Sequence, residues 1–311
     1  MNILHVKYAV EIAKTKSISK AAKNLYMGQP NLSRAIRELE ESLGITIFTR
    51  TSKGITVTPD GEQFLRYARR IVAEVEEVEE IYKNGRKKTA RFSASVCRAS
   101  YIAEAFTNFI NGIPDSNPAE IFYKETDSMK TVGNILKGEF DLGIVRYQST
   151  FDKYFTDLFD EKNFVHETVF EFSYSLLTSK NNSLAAMPEV SLASLENYTE
   201  ITYVDPYVPS IPLTGGKESE FPGVVDRHVY VFERASRFSL LESVPNTFMW
   251  ASPIPRELAE KYNLVQKRCP DNQKRYKDVL IYRKGYSLTE LDNEFITRVC
   301  ESRRKVENNF D

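Results

Sequence analysis

The chain has 311 residues, enough for two domains, and the composition of a globular protein, with 41% hydrophobic and 27% charged residues. Its net charge of −1 hides an asymmetry, because residues 1–58 hold nine Lys and Arg against four Asp and Glu. A basic head on an acidic body predicts that only the head contacts phosphates. Residues 1–16 lack the pattern of a signal peptide, and no run of about 20 apolar residues is present. We therefore expect a cytoplasmic protein with no membrane contact.

The cysteines give no sign of a metal or disulfide framework. Cys97, Cys269 and Cys300 are widely separated and odd in number, and neither a metal-type spacing nor a CxxC pair occurs. We expect them to be packing residues, with a redox role as the alternative. No metal and no cofactor is expected.

The first 45 residues predict three short helices. An apolar face at helical spacing defines the first, with Leu4, Tyr8, Ala9, Ile12 and Ala13. Ser17 or Ser19 can cap the second, whose inner face is Ile18, Ala21, Ala22 and Leu25. A third has Pro30 in its first turn, the inner residues Leu32, Ala35, Ile36, Leu39 and Leu43, and a stop at Gly44.

A hairpin and a long helix are predicted next. Residues 45–50 and 55–58 read as two strands joined by a turn, which after a helix-turn-helix is typical of a wing. A helix then runs from Pro59 to about residue 84. Apolar residues repeat along it with alternating spacings of 4 and 3, at Phe64, Ala68, Ile71, Val75, Val78 and Tyr82. This heptad seam predicts a dimerisation helix; the alternative is a helix that lies on its own domain.

Strands alternate with helices from residue 91 to the end of the chain. The pattern predicts an α/β fold with largely parallel sheets, ending in a helix over residues 288–305. One strand is expected over residues 170–178. The Pro-containing stretch between Asp205 and Phe221 is predicted to be an irregular loop.

A dense, ordered motif over residues 16–61 carries the functional signal. It begins with Ser-Ile-Ser-Lys-Ala-Ala at 17–22 and continues with Gln-Pro-Asn-Leu-Ser-Arg-Ala-Ile at 29–36. Leu-Gly at 43–44, Phe-Thr-Arg at 48–50 and Val-Thr-Pro-Asp-Gly at 57–61 complete it. The motif resembles that of the LysR-type transcriptional regulators. The resemblance implies a winged helix-turn-helix over 1–58, a linker helix and hinge over 59–88, and an effector-binding domain over 89–311.

The predicted DNA contacts follow from the chemistry of the third helix. Gln and Asn can pair with adenine, and Arg can pair with guanine, at the N-terminal end of a recognition helix. Hydroxyl groups and helix N-termini suit phosphates. The candidates are Lys20, Lys23, Gly28, Gln29, Pro30, Asn31, Ser33, Arg34, Arg37, Arg50 and Lys53. Two alternatives stay open: Arg37 could pair with Glu41, and Lys20 and Lys23 could be solvated. Gly28 stands where the family usually has Ser, which removes one hydroxyl.

The resemblance also implies that the effector domain has two α/β lobes like those of periplasmic binding proteins. Lobe I is expected at 89–162 and 272–311, and lobe II at 163–271, with a ligand in the cleft between them. Strand ends at that cleft supply the candidates Ser100, Thr126, Arg146, Tyr147, Tyr203 and Ser236. An Arg beside two hydroxyls suits a carboxylate, so an anionic effector is predicted. The alternatives are that Arg146 lies at the surface or in a salt bridge, and that Tyr147, Tyr203 and Trp250 pack.

The expected partners are operator DNA, a small-molecule effector, RNA polymerase and further copies of the chain, as a homodimer or homotetramer. Four alternative functions are compatible with parts of this pattern. An effector-independent or redox-responsive regulator would keep the DNA-binding head, whereas a binding protein or an enzyme would use only the α/β body. The sequence contains no G-x-S-x-G, P-loop, GxGxxG or HExxH motif, and its three histidines are isolated, which disfavours an enzyme.

Overall fold

The computed structural model describes residues 2–51, 54–83, 89–114, 118–203, 220–231 and 234–307. Its contacts divide the chain into two compact units, Met1–Lys88 and Thr89–Asp311. We describe each unit by itself. No helix in the described ranges combines the length and the apolar character that crossing a membrane requires.

The first unit begins with the three predicted helices, α1 (Ile3–Thr15), α2 (Ile18–Asn24) and α3 (Gln29–Leu43). Ser17 caps α2 by accepting a hydrogen bond from the backbone N–H of Lys20, and Gly44 ends α3 with a left-handed φ of 69°. The predicted apolar face of α1 packs on the core at Tyr8, Ala9, Ile12 and Ala13, but Leu4 does not and Val6 was missed. Leu4 is 52% exposed, and Val6 is fully buried with Ala9 and Ile12, because α2, α3 and the later long helix pack on that side of α1.

The predicted hairpin is present as β1 (Phe48–Thr51) and β2 (Gly54–Val57). The two strands are antiparallel, with Phe48 opposite Val57 and Thr51 opposite Gly54. β1 begins three residues later than expected. The backbone N–H groups of Ile47 and Phe48 are bound by the Glu40 carboxylate of α3, which replaces strand pairing there.

The long helix α4 (Pro59–Lys83) lies partly on its own unit. Leu65, Ala68 and Val72 are buried against the core formed by α1, α2 and α3, and Lys7 of α1 makes an ion pair of 2.9 Å with Glu76. Ala68 was expected on the seam facing a second chain, and that placement is wrong because its side chain is fully buried inside this unit.

The rest of the predicted seam has a different environment. Phe64 packs against the edge of the same core, Ile71 and Val75 are half-buried, and Val78 is 53% exposed. The side chain of Tyr82 lies outside the described residues. The alternative of a helix lying on its own domain therefore holds for the first half of α4, while the second half leaves an apolar stripe uncovered within the described unit.

The second unit contains two five-stranded sheets. The first has the strand order β4-β3-β5-β12-β6 and the second β11-β7-β10-β8-β9. The strands are β3 (Ala90–Val96), β4 (Ala119–Glu125), β5 (Leu142–Gln148), β6 (Phe164–Phe172), β7 (Ser175–Ser179), β8 (Thr199–Tyr203), β9 (Arg227–Val231), β10 (Thr247–Ala251), β11 (Leu264–Lys267) and β12 (Tyr276–Arg283). The helices are α5 (Ser100–Asn111), α6 (Ser128–Lys137), α7 (Asp152–Glu161), α8 (Ser183–Ala186), α9 (Arg234–Ser243), α10 (Arg256–Lys261) and α11 (Glu290–Glu307).

This arrangement confirms the α/β class with a winged helix-turn-helix and corrects three details. In each sheet four strands run in one direction and one runs opposite to them, β12 in the first sheet and β7 in the second, so two of the four pairings are antiparallel and each sheet is mixed. The strand expected over residues 170–178 is two strands, β6 and β7, in different sheets. Helix α7 was not anticipated at all.

The chain crosses between the sheets after β6 and before β12. β6 pairs with β12 through Phe172, opposite Tyr276, so the first crossing lies at residues 173–174 rather than near 162–168. The lobe boundary expected at residue 162 is therefore about ten residues too early, because β6 completes the first sheet. At this crossing the rings of Tyr174 and Tyr276 stack with centroids 4.2 Å apart.

Candidate DNA-binding and effector-binding sites

The N-terminal end of α3 presents an exposed polar surface. Leu32, Ala35, Ile36 and Leu39 are buried beneath it, so the residues between them point outward. The predicted contacts on this surface and on the adjacent α2 are exposed, apart from Ser33, which is half-buried: Lys20, Lys23, Gly28, Gln29, Pro30, Asn31, Arg34 and Arg37. This amphipathic arrangement can place amide and guanidinium groups in a major groove.

A hydrogen bond between α2 and α3 orients Gln29. The Ser19 hydroxyl donates to Oε1 of Gln29 at 3.1 Å, so the amide N–H₂ group of Gln29 points away from α2. The sequence offered Ser19 only as a possible helix cap, and Ser17 has that role instead. Ser19 therefore orients Gln29, the first residue of the recognition helix.

Glu40 fixes the wing relative to α3. Its Oε1 accepts hydrogen bonds from the backbone N–H of Ile47 at 2.6 Å and of Phe48 at 3.1 Å. Thr58 closes the other end of the hairpin, because its hydroxyl bonds the carbonyl of Thr46 and accepts from the N–H of Gly61 at 2.9 Å. The recognition helix, the wing and the start of α4 are thus held by specific polar contacts.

Some predicted contacts are only partly described. The backbone of Arg50 lies in β1, but its side chain and all of Lys53 fall outside the described residues. Within the described residues no ion pair joins Arg37 to Glu41, so the competing salt-bridge interpretation of Arg37 finds no support. Gly28 caps α3 without a side-chain hydrogen bond, as expected from the absence of Ser there.

Arg146 of β5 is committed to an internal ion pair. Its Nε and Nη2 donate to the two carboxylate oxygens of Asp278 on β12, at 2.7 and 2.6 Å. Asp278 is fully buried, and it also accepts a hydrogen bond of 2.6 Å from the Tyr101 hydroxyl. The Arg146 guanidinium lies 4.7 Å from the centre of the Phe172 ring. The salt-bridge alternative is therefore the correct one, and Arg146 is not a free cation for an effector.

A second arginine, Arg237, was missed by the sequence analysis. It is buried on α9, and its Nη2 donates to the Ser100 hydroxyl at 3.3 Å. Ser100 is the first residue of α5, whose N-cap residue Ala99 gives no side-chain capping bond. A helix N-terminus from the lobe of the first sheet therefore meets a guanidinium from the lobe of the second sheet. The only sequence signal was its position next to Ser236, which was chosen instead but is exposed.

The other effector candidates separate into packing and undecided positions. Tyr147 packs: its ring stacks on Phe155 with centroids 4.3 Å apart, and its hydroxyl donates to Asp152. Thr126 is buried where the β4 strand ends, directly before the Asp127 cap of α6. The side chain of Tyr203 lies outside the described residues. Trp250 packs against Phe248 and Phe221.

Two open cavities are lined by described residues of the second unit. One, of about 440 Å³, lies at the second crossing and is lined by residues such as Gln148, Phe221 and Lys274. The other, of about 590 Å³, lies between α10, β11 and the loop after α8. Neither includes Ser100, Thr126 or Arg237 in its lining.

Two of the three free cysteines, Cys97 and Cys269, are buried, and Cys300 is half-buried. Burial, together with the neighbouring Asp278 carboxylate, raises the pKa of the Cys97 thiol well above its usual value. Burial also raises the pKa of Cys269. A high pKa keeps a thiol protonated and unreactive. No group of three or more His, Cys, Asp or Glu within the described ranges could hold a metal ion.

Comparison with known proteins points to one family. Residues 3–62 match the model for the bacterial regulatory helix-turn-helix protein of the LysR family. The HTH-type transcriptional regulator AlsR of Bacillus subtilis (strain 168) is 29% identical over 150 residues, which cover 47% of this chain and 48% of AlsR. The chain thus spans about half the length of this curated relative.

Two solved structures share the fold over nearly the whole chain. Full-length LysG from Corynebacterium glutamicum with bound effector Arg has a TM-score of 0.62 at 13% identity, covering 98% of each chain. Full-length CbnR complexed with its target DNA has a TM-score of 0.51 at 16% identity, covering 97% of this chain and 100% of CbnR. At 13% and 16% identity, these likenesses show a shared fold and nothing further.

Proposed function

We propose that the chain is a LysR-type transcriptional regulator, which binds operator DNA through its first unit and regulates transcription there. The observation that carries this proposal is the exposed polar N-terminus of α3 beside a wing held by Glu40. Gln29, Asn31 and Arg34 read base edges, and Ser33, Lys20 and Lys23 contact phosphates. CbnR, which has the same fold, was crystallised with its target DNA.

Binding of the purified full-length protein to the DNA that flanks its own gene tests this proposal. Arg34→Ala should lower the affinity at least tenfold, because one bidentate contact to guanine contributes about 1–3 kcal/mol. Lys14→Ala is the matched control, since Lys14 is an exposed cation of α1 outside the helix-turn-helix contacts. Equal losses in the two variants would mean that α3 is not the reading element.

We also propose that the second unit binds an anionic small molecule where Ser100 and Arg237 meet. A carboxylate there accepts hydrogen bonds from the guanidinium, the Ser100 hydroxyl and the first N–H groups of α5. Because α5 and α9 belong to the lobes of different sheets, such a ligand draws the two lobes together. The structure of LysG holds a bound effector, Arg, in a protein of the same fold.

A thermal-shift screen of small carboxylic acids tests the effector proposal. Arg237→Ala should abolish the shift of an acid that binds where Ser100 and Arg237 meet. Lys284→Ala removes an exposed cation of the first lobe and should leave the shift unchanged. If every acid that stabilises the wild-type protein kept its full shift in Arg237→Ala, this site would be excluded.

We further propose that two copies pair through the uncovered stripe of α4 formed by Ile71, Val75 and Val78. These residues keep the 4-3 spacing of a helical seam, whereas Ala68 is occupied within its own unit. Pairing gives two recognition helices for two half-sites, in a dimer or a tetramer that acts on RNA polymerase in the cytoplasm. Val78→Glu should raise the dissociation constant of the dimer in sedimentation experiments, and an unchanged constant would exclude the stripe.

A further inference from the structure

We propose a second ligand site on the lobe of the second sheet, for a small organic anion with an apolar body, distinct from the effector site at Ser100 and Arg237. The site is the cavity of about 590 Å³ between α10, β11 and the segment 180–190, which we call the edge groove. Its lining residues are separate from those proposed to bind DNA or the effector.

The walls are fixed by backbone contacts. β11 is an edge strand, paired on one side with β7. Along it runs the segment 180–190, which is tied down at both ends. The N–H of Lys180 donates to the carbonyl of Asn263 at 2.8 Å, and the N–H of Val190 donates to the carbonyl of Arg268 at 3.2 Å. The groove between these two attachments is therefore a preformed space, and its volume lies in the range of small-molecule sites.

The floor is apolar. Ile254 and Leu264 are 4% and 0% exposed and belong to the core of this lobe, and Ala259 of α10 packs beside them. Pro188 closes the opposite side. A hydrocarbon or aromatic body placed here would be removed from water against side chains that are already well packed.

The rim is basic. Four basic residues, Lys180, Arg256, Lys267 and Arg268, line the groove, against two acidic ones, Glu189 and Glu260. Glu260 is engaged with Arg256 in an ion pair of 2.8 Å along α10. The Lys267 ammonium donates to the backbone carbonyl of Ala185 at 3.2 Å, and this neutral acceptor leaves the positive charge of Lys267 at the mouth of the groove.

An apolar floor beneath a cationic rim selects an amphiphilic organic anion. A neutral apolar compound would not interact with the basic rim, and inorganic phosphate would make no apolar contact with the floor. The occupant therefore combines a carboxylate or sulfonate with a compact apolar body. An acidic peptide segment of another protein is the competing occupant, and the experiment separates the two.

The probe is 1-anilinonaphthalene-8-sulfonate, titrated into the full-length protein. Trp250 is the single tryptophan of the chain and lies on β10 of the same sheet as β11, so its emission reports transfer to a probe bound on this lobe. We expect saturable quenching of Trp250. Lys180→Glu replaces a positive charge of the rim by a negative one and should weaken binding of the probe at least fivefold. Ala259→Phe fills the apolar floor of the groove and should abolish the quenching.

Two controls keep the groove separate from other sites. Lys284→Glu makes the same charge change at an exposed lysine of the first lobe and should bind the probe as the wild type does. Arg237→Ala disrupts the proposed effector site and should also leave quenching unchanged, so failure of the effector proposal does not affect this result. Octanoate should displace the probe.

Three results would overturn the proposal. Wild-type binding by both Lys180→Glu and Ala259→Phe would place the probe elsewhere. Loss of quenching in Arg237→Ala would assign the probe to the effector site. Displacement by a poly-glutamate peptide but not by octanoate would assign the groove to an acidic protein segment. Circular dichroism of Ala259→Phe checks that this variant keeps its fold. If it does not, Lys180→Glu still tests the proposal, because Lys180 is exposed.

Discussion

Arg146 and Asp278 form a two-point ion pair at the centre of the first sheet, with donor–acceptor distances of 2.7 and 2.6 Å. The pair joins β5 to β12, the strand that returns the chain from the second lobe. Its carboxylate also accepts from Tyr101 of α5. Arg146, which the sequence predicted as an effector contact, thus stabilises the lobe that carries Ser100.

The first prediction concerns the stability of this pair. Asp278→Asn leaves the guanidinium of Arg146 buried without its counter-charge, and we expect it to lower the free energy of unfolding by about 3 kcal/mol. Arg146→Met combined with Asp278→Asn should recover more than half of that loss, since no isolated charge remains. Thermal unfolding measures both.

The control for this pair is Asp157→Asn, which breaks an exposed ion pair with Lys153 on α7. Its melting temperature should equal that of the wild type, because exposed pairs contribute little. If Asp278→Asn were as stable as Asp157→Asn, the Arg146–Asp278 pair would not be a structural element.

A second prediction addresses the redox alternative. Burial and the carboxylate of Asp278 raise the pKa of Cys97, so at pH 8 this thiol remains protonated in the folded protein. Treatment of the native protein with a disulfide reagent should modify the half-buried Cys300 first and leave Cys97 unmodified, as located by mass spectrometry. Unfolding in guanidinium should expose all three thiols. Rapid modification of native Cys97 would revive the redox-responsive interpretation.

The wing gives a third prediction. Glu40→Ala leaves the N–H groups of Ile47 and Phe48 without their acceptor, which should cost about 1–3 kcal/mol and lower DNA affinity several-fold. Glu40→Gln keeps a carbonyl oxygen at the same position and should retain most of the affinity. The exposed Glu41→Ala controls for charge alone. Identical DNA binding by Glu40→Ala and Glu41→Ala would show that the wing does not depend on this contact.

The fourth prediction is that substitutions at two glycines change the stability of the first unit in opposite directions. A Cβ added to Gly61 would overlap the carbonyl oxygen of Ile47 and come within 2.9 Å of Val57 Cγ1. Gly61→Ala should therefore destabilise the first unit by about 1–3 kcal/mol. A Cβ added to Gly28 would make only ordinary contacts, 3.8 Å from Pro30 Cδ and 3.9 Å from Asn31 Nδ2, and ψ there is an extended 136°, so Gly28→Ser can cap α3 and should stabilise it by a few tenths of a kcal/mol. Calorimetry of the two variants would refute this account if Gly61→Ala were neutral.

The sequence predicted the first unit well because its signals are local. Ser17, Pro30 and Gly44 mark helix ends through contacts within a few residues, and periodicity identified the buried face of α3. It placed Ala68 wrongly, because heptad spacing cannot tell a helix's own domain from a second chain. Only tertiary packing on α1 decides that.

The second unit was harder to predict because its contacts are distant in sequence. Arg146 and Asp278 are 132 positions apart in the sequence. They lie on the adjacent strands β5 and β12, whose pairing no local pattern predicts. Arg237 meets Ser100 across 137 positions, so nothing near Arg237 marks it as part of a site. Ser100 itself could be chosen because a strand end followed by a helix start is a local signal.

Operator binding is tested by footprinting on the DNA beside the protein's own gene, at a low and a near-physiological salt concentration. We expect protection over two neighbouring sites that weakens steeply with salt, because phosphate contacts release counterions. Arg34→Ala should lose this protection while remaining folded. Protection no stronger than on random DNA near physiological salt would contradict the claim that this chain is an operator-binding regulator.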